Sequence, residues 1–182
     1  MSQLTTPVGE RDHIQGPTSA PVTLVEYGDY ECSYCREVYA VVNTALRKMG
    51  DRFRFVFRNF PLTSKHPYAQ LAAEAAEAAG VQGSFWKMYR TLHEAEGLEL
   101  RHLLGYAKEI GLDVERFRKD LETRAMTPRV QEDIVAAARS GVTGTPTFFI
   151  NGVRHEAGFF DATSLMAALK QAEGPSGSHT TG

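Results

Sequence analysis

Three things are scarce in this sequence, and each scarcity excludes something. The first is charge of one sign. Twenty basic residues stand against 22 acidic ones, a net charge of -2, so no field gathers nucleic acid or an anionic lipid surface, and neither is expected as a partner. The second is the long apolar run. A membrane helix needs about 18 predominantly apolar residues, whereas the longest weakly polar stretch, Leu71 to Val81, is broken by Glu74 and Glu77. No membrane span is expected. The first twenty residues are polar, with Arg11 between Glu10 and Asp12, and they lack the apolar segment of a secretory signal, so the expected location is the cytoplasm. The third is cysteine: Cys32 and Cys35 are the only two. Cytosolic thiols are mostly kept reduced, which makes a purely structural disulfide the weaker reading.

What is present fits one soluble domain. Hydrophobic residues make up 42% of the 182 and charged residues 23%, which excludes collagen-like, mucin-like and wholly disordered chains. A chain of this size buries roughly 70% of its unfolded surface. Thr23 to Tyr27 is short, apolar and β-prone between Pro21 and Gly28-Asp29, and reads as a buried strand. From Ser33 the pattern changes to helical spacing through Val38, Val41, Val42, Ala45, Leu46 and Met49, with Gly50 as the stop. Arg52 to Arg58 then alternates, with Phe53, Phe55 and Phe57 on one face and Arg52, Arg54 and Arg58 on the other. Strand, helix and strand form a βαβ unit whose helix begins on the cysteine pair.

Between Pro61 and Gly141 helical punctuation takes over. Five helices are expected: an Ala-rich one after His66-Pro67, one after Ser84, one through Leu100 to Ile110, one capped by Asp113, and one opened by Thr127-Pro128. Strand character returns at Thr147 to Ile150, Asn151-Gly152 is a hairpin turn, and Val153 to His155 can pair back. A last helix, Ala162 to Glu173, follows an Asp161 cap. The expected organisation is a polar lead over 1–18, an α/β domain over 19–60 and 141–173, an inserted helical subdomain over 61–140, and a Gly/Ser/Thr tail over 174–182 without apolar residues to bury.

Cys32 falls at the first turn of its helix, where free backbone N–H groups and the positive end of the helix dipole stabilise a thiolate, which marks it as a nucleophile. Cys35, three residues on, lies about one turn deeper on the same face and can close a small disulfide as the resolving thiol. Two other readings stand beside this one: half of a zinc site, and two inert buried cysteines. Zinc needs four ligands at defined spacing, and no second Cys-x-x-Cys occurs in the chain.

Glu26-Tyr27-Gly28-Asp29-Tyr30-Glu31-Cys32-Ser33-Tyr34-Cys35, followed far downstream by Gly144-Thr145-Pro146-Thr147-Phe148-Phe149-Ile150-Asn151-Gly152, resembles the DsbA-like branch of the thioredoxin superfamily. The likeness runs from about Asp12 to Ala172 and takes in Asn59-Phe60-Pro61-Leu62, His66-Pro67 and Gly83-Ser84-Phe85-Trp86. It implies an α/β thioredoxin fold with an inserted all-helical subdomain. It also implies a cis Thr145-Pro146 bond facing the cysteines, with the Thr145 backbone and Tyr34 positioned for an extended substrate, and a buried acid, Glu26, that exchanges a proton with Cys35. The motif departs from the family's strongest oxidants between the cysteines. Those members carry Pro-His, and this chain carries Ser33-Tyr34. Tyr34 has no cationic form and Glu31 adds a negative charge, so a less acidic Cys32 and a more reducing couple are expected.

Two weaker signals have plainer explanations. His93-Glu94-Ala95-Glu96-Gly97 begins like a zinc-protease helix but lacks the second histidine. Phe85, Trp86 and Tyr89 can line a groove, yet at helical spacing they more often form core. The sequence therefore points to a cytoplasmic thiol:disulfide oxidoreductase. Its partners are protein or small-molecule thiols and disulfides, the redox disulfide is Cys32–Cys35, and neither metal nor organic cofactor is needed. A non-enzymatic thioredoxin-fold binding module or chaperone, with the cysteines as a redox-responsive clasp, is the alternative.

Overall fold

The computed structural model describes residues 2–156 and 162–174; the Asp161 cap and the tail beyond Gly174 lie outside them. The chain runs β1 (His13–Gln15), β2 (Val22–Gly28), α1 (Ser33–Met49), β3 (Phe53–Asn59), α2 (Ala69–Val81), α3 (Phe85–Glu94), α4 (Leu100–Glu109), α5 (Val114–Glu122), α6 (Thr127–Arg139), β4 (Thr147–Ile150), β5 (Val153–Arg154) and α7 (Ala162–Ala172). The strands form one sheet in the order β1-β3-β2-β4-β5. Only β2 and β3 run parallel, as a βαβ crossover requires; Leu24 stands opposite Phe55 and Glu26 opposite Phe57.

Strand alternation decides which side each residue serves. Val22, Leu24, Phe53, Phe55 and Phe57 are fully buried on one face, in a core shared with Val38, Val42 and Ala45 of α1, the alanines of α2, Met88 and Leu92 of α3, and Leu165 and Leu169 of α7. Glu26 has the same parity and points into that layer. The opposite face carries Val25, Tyr27, Val56 and Phe149, packed against Ala137 and Val142 and against Leu4, Val8 and Ile14 from the start of the chain. Helices α2 to α6 enter the sequence between β3 and β4, which is the thioredoxin fold with a helical insertion that the resemblance implies.

The second face differs from the expected one. Arg52 falls in a short 3-10 turn before β3, and Arg58 is 2% exposed instead of facing water. The polar first residues fold over this face and contribute β1, antiparallel to β3. The Arg58 guanidinium donates to both oxygens of Asp12 at 2.8 and 2.9 Å and to the carbonyls of Thr6 and Pro7 and the Tyr27 hydroxyl. A buried arginine is tolerated because its donors are satisfied. The Asn151-Gly152 turn has both residues at positive φ, 48° and 81°, the geometry of a two-residue hairpin.

Candidate active site

Tyr30 and Glu31 lead from β2 into α1, and the chain turns so that Cys32 becomes the N-cap residue, with φ -75° and ψ 122°. Its side chain thus stands at the first turn of α1, whose free amides face the sulfur. The turn is held by the Asp29 carbonyl, which accepts from the Cys32 N–H at 3.1 Å. Both cysteines are free. Cys32 keeps 5% of its surface exposed and Cys35 none, so only the outer sulfur can meet a partner.

Their surroundings pull the two sulfurs apart in acidity. The Cys32 thiol is lowered to about 5, chiefly by a hydrogen bond from the Cys35 thiol; burial opposes this, and the backbone N–H groups of Cys35 and Tyr34 reinforce it. Cys35 is pushed well above its ordinary value, first by burial, then by its bond to Cys32 and by the charges of Glu26 and Cys32. Glu26 is raised to about 8 by burial and then by the charge of Cys32. Neither of its carboxyl oxygens has a hydrogen-bond partner. The strand end leaves that carboxyl little room: a methyl group on Gly28 would fall 2.9 Å from Glu26 Oε1 and 2.5 Å from the Phe57 ring, so glycine is needed there.

The remaining residues named from the sequence fall as follows. The Thr145-Pro146 peptide is cis, and the Thr145 carbonyl oxygen lies 3.6 Å from Cys32 Sγ. Tyr34 is 50% exposed beside the cysteines. Phe85 and Tyr89 are buried core residues, with Trp86 partly buried against them. His93 is buried among aromatic rings, 4.5 Å from the Tyr89 centroid, and burial lowers it to about 3. The Glu31 carboxylate accepts from the Tyr68 N–H at 2.7 Å, just ahead of α2.

Three groups to which sequence reading gave no role also belong to the site. Asp29 is 2% exposed; its Oδ1 accepts from the Glu31 N–H at 2.8 Å, and its Oδ2 accepts from the Leu62 N–H at 2.9 Å and lies 2.7 Å from His66 Nδ1. His66 thus stands on a loop 34 positions past Cys32 yet is fastened to the turn that holds it. Arg36 donates to the Ala95 carbonyl at 2.7 Å and fixes α1 against the end of α3. The sequence signals for these were Asp29 inside the Glu26 to Cys35 motif and His66-Pro67, both as parts of a family pattern.

This geometry has relatives. A family model described as Thioredoxin (Thioredoxin_4) matches residues 9–170. Among curated proteins, the Na(+)/H(+) antiporter NhaA 1 of Salinispora arenicola is 50% identical over 165 residues, which is 90% of this chain and 25% of that protein. The Na(+)/H(+) antiporter NhaA of Herminiimonas arsenicoxydans is 44% identical over 88% of this chain and 25% of its own. The chain therefore spans about a quarter of the length of these curated relatives. Among solved structures, a thioredoxin-like oxidoreductase from Silicibacter pomeroyi is 28% identical with a TM-score of 0.78, covering 92% of this chain and 95% of that one. BdbD from Bacillus subtilis, in its oxidised form, reaches 0.83 at 22% identity, over 94% and 98%. Because the family model covers nearly the whole chain, and a thioredoxin-like oxidoreductase shares its fold at 28% identity, the chain belongs to the thioredoxin family.

Proposed function

We propose that the chain is a thiol:disulfide oxidoreductase acting on protein or small-molecule disulfides and thiols through Cys32 and Cys35. The observation that carries this reading is the asymmetry of the pair. The sulfur at the helix tip is acidic and the one behind it is fully buried and not. An attacking thiol must be ionised and reachable, whereas a resolving thiol must stay protonated until it is needed.

In the reductive direction, the Cys32 thiolate attacks one sulfur of the substrate disulfide. That S–S bond breaks, a Cys32–substrate disulfide forms, and the second substrate sulfur leaves as a thiolate that takes a proton. Cys32 then carries no charge, which removes one of the two influences holding Glu26 protonated. Glu26 ionises more readily and accepts the Cys35 proton. The Cys35 thiolate attacks Cys32 Sγ, the first substrate sulfur leaves, and the protein ends as the Cys32–Cys35 disulfide with the substrate carrying two thiols. Two electrons have passed to the substrate, and the reverse sequence oxidises a substrate dithiol. The Thr145 carbonyl, next to Cys32 Sγ, supplies a backbone acceptor for an extended substrate segment, with the cis Pro146 beside it and exposed Tyr34 as a flanking surface.

A thiol at about 5 lies between the ~7 of thioredoxin and the ~3.5 of DsbA. The couple is therefore proposed to be less oxidising than that of the Pro-His members, in keeping with Ser33-Tyr34. The antiport named for the curated relatives is a property of those proteins; what is assigned to this chain is the chemistry of the matching stretch.

Insulin reduction and exchange with a model disulfide test the reading. Cys32→Ser is expected to abolish both, and Cys35→Ser to accumulate the mixed disulfide. Alkylation of Cys32 should rise with a midpoint near pH 5. Variants that exchange as fast as the parent would overturn the assignment; a midpoint near the ordinary ~8.5 without exchange would instead fit a binding module.

A further inference from the structure

Given the exchange reading above, on which this inference rests, the Cys32 thiolate is favoured chiefly by hydrogen bonds, and neither Ser33 nor Tyr34 adds a positive charge beside it. Arg36, the nearest arginine along α1, has its guanidinium turned to the Ala95 and Tyr30 carbonyls. We propose that His66, held against Asp29, is the positioning cation of the active site, and that its protonation and the ionisation of Cys32 are coupled.

The geometry is that of a clamp. Asp29 closes the β2–α1 turn through its carbonyl, which takes the Cys32 N–H, and through Oδ1, which takes the Glu31 N–H. Its Oδ2 reaches the other way, to the Leu62 N–H and His66 Nδ1. The backbone N–H groups of Lys65 and His66 both donate to the Leu62 carbonyl at 2.9 Å, so the loop is wound into a tight turn that presents the ring at a fixed place. Asp29 is buried, whereas the His66 side chain is 23% exposed. A ring fastened at one nitrogen to a buried carboxylate, and still in contact with water, can gain and lose a proton without breaking the turn.

The ring touches the Asp29 carboxylate, and the same aspartate ties it to the turn that carries Glu31 and Cys32, through the Glu31 and Cys32 N–H groups. Burial opposes the charge on His66, but the hydrogen bond and charge of Asp29, with the charges of Cys32 and Glu31, outweigh it and leave the ring raised above its ordinary value. Coupling of this kind is reciprocal: if the Cys32 anion favours the His66 cation, the cation favours the anion to the same degree. Two consequences follow. Oxidation of the pair, which removes the Cys32 charge, makes His66 give up its proton more readily. Raising the pH through the His66 midpoint takes the cation away from Cys32 and makes its thiolate less favoured.

An aspartate–histidine pair that only fastened a loop would show neither effect. NMR titration of the His66 ring in the reduced and the oxidised parent protein decides between them. The midpoint is expected to be higher in the reduced form, and equal midpoints would overturn the inference. A second arm titrates the Cys32 thiolate by its ultraviolet absorbance. His66→Gln should raise that midpoint by on the order of half a pH unit, about threefold in proton affinity. His66→Lys, which keeps the charge, should restore it. An unchanged midpoint in a folded His66→Gln protein would also overturn the inference. If the glutamine variant fails to fold, the parent titrations still decide. Because neither arm measures turnover, a redox-linked His66 in a protein that does not reduce insulin would sink the enzymatic reading and leave this one standing.

Discussion

Glu26 is a carboxylic acid held where nothing bonds to it, fully buried on β2 and raised to about 8. Its cost to folding has a definite sign. Because the folded value lies above the ordinary 4.5, the folded chain keeps a proton that the unfolded chain has released between pH 4.5 and about 8. The contribution of Glu26 to stability therefore falls as pH rises through that window. Glu26→Ala removes the effect: in urea titrations its stability relative to the parent should improve by up to about 1.4 kcal/mol per pH unit across the window. The same variant should resolve mixed disulfides about a hundredfold more slowly, as loss of a general base implies. A flat stability difference would mean that Glu26 is not the group titrating there. The acid, the two cysteines, Thr145 and Pro146 were all legible as residues, because each sits inside a compact motif. The pairing of Asp29 with His66 was not, since that contact spans 37 positions of sequence and neither position has a spacing that announces a partner.

At the scale of elements, helices were easier to read than the far side of the sheet. The expected end of α1 and starts of α5 and α6 agree with the structure because the Gly50 stop, the Asp113 cap and Pro128 are local signals; Asp113 accepts from the Arg116 N–H at 3.0 Å, and Pro128 sits in the first turn of α6. The opening segment gave no comparable signal. Leu4, Val8 and Ile14 are isolated apolar residues in polar surroundings, and β1 is three residues long, too short for alternation to appear. What fixes the segment is the buried Arg58–Asp12 pair, with side chains only 3% and 8% exposed. Asp12→Ala should therefore cost about 3 kcal/mol in chemical denaturation, because it leaves the guanidinium buried without its anion. It should also release residues 2–15 to proteolysis before the rest of the chain. Burial opposes the charge on Asp12, but Arg58, the Gly9 N–H and Arg129 together hold its carboxyl below the ordinary 3.8. That stabilisation is fully present above pH 3.8 and is lost as pH falls below it. A variant as stable as the parent at pH 7 would show that the segment is held without this pair, by the β1–β3 ladder and its other contacts.

Across the whole molecule, one core joins the sheet to the inserted helices: Phe57 lies 5.0 Å from the Tyr89 ring, and Phe55 lies 5.9 Å from Trp86. Sheet and helical block should consequently unfold together, with the fluorescence of the single tryptophan and far-ultraviolet circular dichroism tracing the same transition. Phe57→Ala, which empties the junction, should lower stability by about 3 to 5 kcal/mol without splitting that transition. Two separated transitions would show that the block folds independently. Cooperative folding also bears on Cys32, whose thiol sits at about 5 in the native chain against an ordinary 9.0. Cysteine footprinting usually detects unfolding, because denaturation bares a sulfur that the native state hides. At pH 6 the sense is reversed here: native molecules carry the anion that captures iodoacetamide, denatured ones hold a sluggish protonated thiol, and label uptake counts the folded population.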